Sequence, residues 1–183
     1  MNLDEAKLEW LVSAARAHDL GALASLCEEF YPRVYRFMLH RGERREDAED
    51  LASEVCVRVL SSLSKQSGFF PAWVFRIAEN LLTDVRRHSR RVREVELSDA
   101  VIGAHGAQAG PDLALSHQLD RAMMKLTPDQ RDVVHMRFME GYSSGEIGRI
   151  QGRSEGAVRA LQFRALEVLR SELGGGDGGD HEA

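Results

Sequence analysis

The stretch from Leu126 to Leu173, "LTPDQRDVVHMRFMEGYSSGEIGRIQGRSEGAVRALQFRALEVLRSEL", marks out its own helices. Thr127 followed by Pro128 is an N-cap with proline at the first helical position, where a missing N–H is no loss. Gln130 stands where the partner of a capping box belongs. That helix carries Val133, Val134, Met136 and Phe138 as its apolar residues and is expected to end near Gly141. Ser143 or Ser144 caps a short second helix with Glu146, Ile147 and Ile150, and Gly152 suits the tight turn after it. Ser154 caps a third helix running to about Leu173, with Val158, Leu161, Ala165, Leu166 and Leu169 facing inward. Short helix, turn, long helix is the helix-turn-helix plan, in which the long helix offers its outer face to the major groove.

On that outer face stand Glu155, Gly156, Arg159, Ala160, Gln162 and Phe163. Arg159 suits a guanine edge and Gln162 an adenine edge, while Phe163 or Ala160 suits a thymine methyl. Ser154 and the free amides beside it suit a phosphate. Arg149, Arg153 and Arg164 suit the phosphate backbone. The plainer alternative is three packed helices with a solvated basic face.

The rest of the chain also reads as helix. There is no sustained apolar–polar alternation and no Asn-Gly or Asp-Gly hairpin turn. Residues 1–92 form a first domain of consecutive amphipathic helices. Leu23, Leu26, Cys27, Phe30, Val34, Phe37 and Met38 are the apolar residues of one helix at helical spacing, and Leu51, Val55, Val59 and Leu63 share a stripe on the next. Two of the four prolines, Pro32 and Pro71, mark expected helix starts. Residues 93–116, rich in Ala and Gly, read as a flexible linker. Residues 117–173 are the second domain, and 174–183, "GGGDGGDHEA", a disordered tail. The expected fold is therefore all-α, two small helical domains, the second a helix-turn-helix.

One helix of the first domain, "FPAWVFRIAENLLTDVRRHSRR", is apolar at its start and basic at its end. Arg86, Arg87, Arg90 and Arg91 sit downstream of Phe69, Phe70 and Trp73, beside the polar loop "SKQSGF" that contains Ser67. Basic residues next to aromatics are what single-stranded DNA requires, with phosphates held by Arg and bases stacked or pocketed. Phe70, Trp73 and Ile77, at i, i+3 and i+7, equally read as core. The loop and Asn80 are the candidate pocket for an unstacked base.

Totals bound the remainder. The 183 residues carry a formal net charge of −5, so indiscriminate attraction to nucleic acid is not expected. Asp47, Glu49, Asp50 and Glu54 gather on one helix, either as a solvated face or as a partner surface. No run approaches the roughly 18 apolar residues of a membrane span. The N-terminus "MNLDEAKLEW" has acidic residues and no apolar segment of a secretory signal. Cys27 and Cys56 read as buried small hydrophobes in a reducing cytoplasm. The seven His are scattered, with no HExxH, phosphate-binding Gly loop or nucleophile elbow. No metal, no cofactor and no enzymatic activity are expected.

Together the two segments resemble the small extracytoplasmic-function sigma factors of bacterial RNA polymerase, over nearly the whole chain. In "DAEDLASEVCVRVLSSL", Asp47, Ala48, Asp50, Leu51 and Glu54 follow the family pattern, with Ser53 where Gln is usual and Cys56 where Phe is usual. Phe70, Trp73, Ile77, Ala78, Asn80, Asp84 and Arg87 follow the pattern of its promoter-melting helix. In the second half Leu126, Pro128, Gln130, Arg131, Val134, Arg137, Gly141, Ser143, Glu146, Ile147, Gly156, Val158 and Arg159 fit. Gly148 replaces a usual Ala, and Ala160-Leu161 a usual Ser-Arg, which removes one backbone-contacting Arg.

The resemblance implies a cytoplasmic promoter-specificity subunit. Its first domain is expected to bind the clamp helices of the polymerase beta-prime subunit through Asp47, Glu49, Asp50, Leu51 and Glu54. The same domain is expected to recognise and melt the minus-ten element through Ser67, Phe69, Phe70, Asn80, Asp84, Arg86, Arg87, Arg90 and Arg91. The second domain is expected to bind the beta flap and read the minus-thirty-five element. An anti-sigma factor is a further partner the resemblance implies. The rival is a stand-alone helix-turn-helix regulator. It accounts for the second half but not for the aromatic-then-basic helix.

Overall fold

A computed structural model describes residues 4–95 and 113–174, with side chains over 4–88, 118–119 and 121–174. Among the described residues all regular structure is helical: α1 Glu5–Arg16, α2 Leu20–His40, α3 Arg45–Ser62, α4 Phe70–Val95, α5 Leu113–Met124, α6 Pro128–Val134, α7 Ser144–Gln151 and α8 Glu155–Gly174. A 3-10 turn, Leu63–Lys65, comes after α3, and a π turn, His135–Met139, after α6. The chain divides into two compact units, within residues 2–106 and 107–183.

In the first unit α2 is the hub, packed by α1, α3 and α4. Its stripe of Leu26, Phe30, Val34, Phe37 and Met38 is buried, at helical spacing. The buried stripe of α3 is slim: Ala48 and Ala52 alternate with Leu51, Val55 and Val59. Across α2 and α4, Phe30 meets Phe70 edge-on at 5.0 Å and Phe37 meets Phe75 at 5.4 Å between ring centroids, the geometry aromatic quadrupoles prefer. Asp19 caps α2 by accepting from the Ala22 N–H at 2.8 Å.

Three expectations change here. Pro32 lies inside α2, not at a start. It lacks an N–H for the carbonyl one turn back, yet the buried residues on both sides of it carry the helix through. Pro71 does sit in the first turn of its helix. Trp73 and Ile77 are only half-buried, and the inward face of α4 is Phe70, Val74, Phe75, Ala78, Leu81 and Leu82. The linker expected over 93–116 has helix at both ends, since α4 continues to Val95 and α5 opens at Leu113. Its middle and the tail beyond 174 lie outside the described residues.

The second unit wraps α5, α6 and α7 around α8. Thr127 and Gln130 close a capping box on α6, and Ser143 and Glu146 close another on α7. Gly152 ends α7 at φ +67°, a left-handed conformation that suits glycine. Leu126, Val134 and Ala165 form a core cluster, with Val133, Ile147, Tyr142 and Val158 also buried. Leu166 was expected to face inward and is 45% exposed, and Phe138, one of the apolar residues assigned to the α6 helix, is 57% exposed. The π turn admits one extra residue per turn and shifts the helical phase of its own residues, so Phe138 faces out.

Candidate functional site

The described residues present three surfaces. The first is on α3. Asp47, Asp50, Glu54 and Val57 succeed one another at helical spacing and are all exposed. Glu49 accepts from Arg45 at 3.4 Å and Glu54 from Arg58 at 2.8 Å. Such exposed i,i+4 pairs contribute only about 0.3–0.5 kcal/mol, so a partner can replace them at little cost. Asp47 and Asp50 have no ion-pair partner among the described residues. Leu51 is buried at 8%, so it belongs to the core and not to the surface where it was expected. Val57, 59% exposed, extends the stripe beyond its acidic part, and no motif in the sequence singled it out. Only its outward phase, opposite Val55 and Val59, marks it.

The second surface is α4 with the loop before it. Ser67 and Gly68 are exposed, Phe69 is half-buried and Phe70 is buried at 4%. Phe70 therefore serves the core against Phe30 and has no face left for a base. Asn80, Asp84 and Arg87, at i, i+4 and i+7, share one exposed face. No hydrogen bond among the described residues joins Asn80 to the loop. Arg86 is committed elsewhere. Its Nε and Nη2 donate to Glu43 Oε1 at 2.9 and 2.7 Å, and Nη2 also to the Arg41 carbonyl at 2.6 Å. It ties the α2–α3 turn to α4 while its side chain stays 45% exposed. The side chains of Arg90 and Arg91 lie outside the described residues.

The third surface is the helix-turn-helix. Glu155, Gly156, Arg159, Ala160, Phe163 and Arg164 are exposed on α8, as is Arg149 on α7. Phe163 is 63% exposed, an aromatic ring in water beside Arg159 and Arg164. Arg159 pairs with Glu155 one turn back. Arg153 pairs with Asp129 of α6 at 2.7 Å. Ser154 accepts from the Ala157 N–H at 3.2 Å, which caps α8. Gln162 is half-buried, and its Oε1 accepts from the Ser144 hydroxyl at 3.2 Å. An adenine edge needs both the acceptor and the donor of that amide, so base reading by Gln162 requires this bond to open. Behind the turn His135 and Glu140 face each other at 3.4 Å in the interior, a buried pair that no sequence spacing announced.

The cysteines are close together. Cys27 of α2 and Cys56 of α3 are both half-buried, and the Cys56 S–H donates to the Cys27 sulfur. Burial, with the neighbouring sulfur, pushes the Cys56 thiol up to about 11, and burial raises Cys27 as well. Among the described residues no group of three or more His, Cys, Asp or Glu is placed to hold a metal, and no helix is long and apolar enough to cross a membrane.

Comparison with known proteins respects this division. Residues 26–92 match the family Sigma-70 region 2, and residues 122–171 match Sigma-70, region 4. The chain is 34% identical to the ECF RNA polymerase sigma factor ShbA of Streptomyces griseus, over 88% of this chain and 92% of that protein. It is 33% identical to the RNA polymerase sigma factor CarQ of Myxococcus xanthus, over 84% and 90%. It is 32% identical to the ECF RNA polymerase sigma factor BldN of Streptomyces coelicolor, over 91% of this chain and 66% of BldN's length. The fold is that of CnrH, solved in complex with the cytosolic domain of CnrY, at a TM-score of 0.66, 20% identity and coverage of 91% and 97%.

Proposed function

The chain belongs to the extracytoplasmic-function sigma factors, which direct transcription initiation by bacterial RNA polymerase, and from that membership we propose how its surfaces divide the work. The observation that carries the reading is one chain holding, in order, a region 2 unit and a region 4 unit, each with an exposed face fit for its partner. The acidic stripe Asp47, Asp50, Glu54, continued by Val57, meets the clamp helices of the beta-prime subunit. Asn80, Asp84, Arg87 and the Ser67–Phe69 loop meet the minus-ten element, the loop receiving an unstacked base. On α8, Arg159, Ala160 and Phe163 read base edges of the minus-thirty-five element, while Arg149, Arg153 and Arg164 contact its phosphates. The second unit also engages the beta flap.

The protein works in the cytoplasm without catalysis of its own. Region 4 in isolation fits a free-standing regulator, but the region 2 unit has no place in that reading. CnrH was solved with CnrY, and the RpoE of Bartonella quintana with the anti-sigma factor NepR. An anti-sigma factor holding this chain inactive is the corresponding partner.

The test is reconstitution. The purified chain, added to core polymerase on a promoter library, is expected to give transcripts from defined start sites. Tight binding to duplex DNA by the chain alone, without core binding or transcripts, would overturn the reading.

A further inference from the structure

The loop assigned above to base capture is held from a distance. Gln66 is buried at 7%, Phe70 at 4%, and between them only Ser67 and Gly68 stand fully exposed. The Gln66 side chain is a hub. Its Nε2 donates to the Gly68 carbonyl at 2.8 Å, across Ser67. Its Oε1 and its backbone carbonyl both accept from Nη2 of Arg16, the last residue of α1. Its N–H donates to the Leu63 carbonyl at 3.1 Å. Gly68 has φ +73°, so the loop backbone takes a left-handed turn within this frame. Arg16 in turn is anchored by its own helix, whose Leu8, Leu11, Val12 and Ala15 are buried.

We propose that Arg16 is a positioning residue for minus-ten recognition, acting through Gln66 to fix the Ser67–Gly68 tip. The inference rests on the reading that this loop receives an unstacked base. Arg16 lies fifty residues from Gln66 and outside the stretch that matches Sigma-70 region 2. A tip two residues long cannot fold back on itself to define a pocket. Its shape is set by its anchors, and one of those, Gln66, has both the oxygens it turns to Arg16 satisfied by a single guanidinium nitrogen. A preorganised tip captures a base without the ordering cost a loose one bears.

The experiment compares transcription by reconstituted holoenzyme from a double-stranded promoter and from versions altered one base at a time in the minus-ten element. The ratio between them is read for the unaltered chain, Arg16→Ala, Arg16→Lys and Gly68→Val. Core binding and the melting temperature are measured alongside. For Arg16→Ala, discrimination at one minus-ten position is expected to fall roughly tenfold, the scale of a lost single-base contact, with core binding unchanged. Arg16→Lys keeps the charge and a donor and is expected to recover part of the ratio. Gly68→Val strains the tip directly and is expected to lose discrimination at the same position. Loss with Gly68→Val but not with Arg16→Ala overturns the role of Arg16 and leaves the loop reading standing. Loss with neither overturns the loop reading and this inference with it. A lowered melting temperature in Arg16→Ala with the ratio unchanged reduces Arg16 to a structural bond. Should Arg16→Ala fail to fold, Arg16→Lys carries the same comparison, and a lowered melting temperature in Arg16→Lys without any loss of discrimination again overturns the inference.

Discussion

A β-carbon built on Gly148 of α7 would stand 2.7 Å from the backbone carbonyl oxygen of Arg153. The backbones come this close because the turn through Gly152 folds back on α7, and the Arg153 N–H donates to the Gly148 carbonyl at 2.9 Å. Gly148→Ala forces backbone, not a flexible side chain, to move. We expect a loss of about 1–3 kcal/mol in the second unit, as for other overpacked sites. Hydrogen exchange of the Ile147 and Val158 amides in the full chain checks it. Unchanged protection would show that the turn relaxes freely.

Arg159 and Glu155 hold each other on the exposed face of α8, at low cost to separate. Arg159→Ala is expected to weaken discrimination at one minus-thirty-five position by about 1–3 kcal/mol, with other positions unaffected. Transcription from single-base promoter variants measures it. Equal losses across all positions would mean that Arg159 touches phosphate only.

Arg86 and Arg87 are neighbours with different duties. Arg86→Ala removes the tie to Glu43 and the Arg41 carbonyl and is expected to lower stability by about 1 kcal/mol while leaving the salt dependence of promoter binding intact. Arg87→Ala is expected to leave stability alone and reduce the slope of log affinity against log salt by about one. Titrations at several salt concentrations separate the two, and a reversed pattern would return Arg86 to the DNA.

Phe75 is 2% exposed and meets Phe37, whereas Trp73 is half-buried and leans on Phe70 at 5.8 Å. Phe75→Ala is expected to cost about 3–5 kcal/mol. Trp73→Ala, which opens no closed cavity, is expected to cost about 1–2 kcal/mol. Chemical denaturation of both variants orders them, and a Trp73 loss equal to that of Phe75 would contradict the burial.

Cys56 keeps its proton in the folded chain up to a pH of about 11, above the 9.0 of an ordinary thiol. The thiolate is the reactive form. Alkylation of native Cys56 is therefore expected to rise about tenfold per pH unit through neutrality and to level off near 11, not near 9. The stabilising contribution of the protonated thiol is intact below pH 9 and is lost as pH climbs from there through the folded value of about 11. Alkylation with mass spectrometry gives the midpoint directly.

These outcomes separate the chemistry that is local in sequence from the chemistry that is not. The box at Thr127–Gln130 was readable because both partners lie within one turn, while at the next helix the sequence left the cap open between Ser143 and Ser144 and the structure gives it to Ser143. The phase of α2 was readable too, since its apolar stripe runs unbroken through Pro32. The pairings of Arg86, Gln162 and Arg153 were not readable, because each is made with a partner from another part of the fold: Glu43, Ser144 and Asp129. Phe70 fitted two duties at once in sequence, and only Phe30 across the bundle assigns it to the core. The exposure of Phe138 depends on a π turn that neither composition nor periodicity signals.

Of the twenty residues of α8, Val158 and Ala165 are the buried ones. With Val168 and Leu169, half-buried against the core, they hold the helix in place, and its outward face through Gly156, Arg159, Ala160 and Phe163 stays exposed. Substitutions there leave the scaffold nearly untouched, so the promoters such a protein answers to can drift from lineage to lineage without a stability threshold to cross. A regulon can be rewired through this helix one side chain at a time while the domain beneath it stays the same.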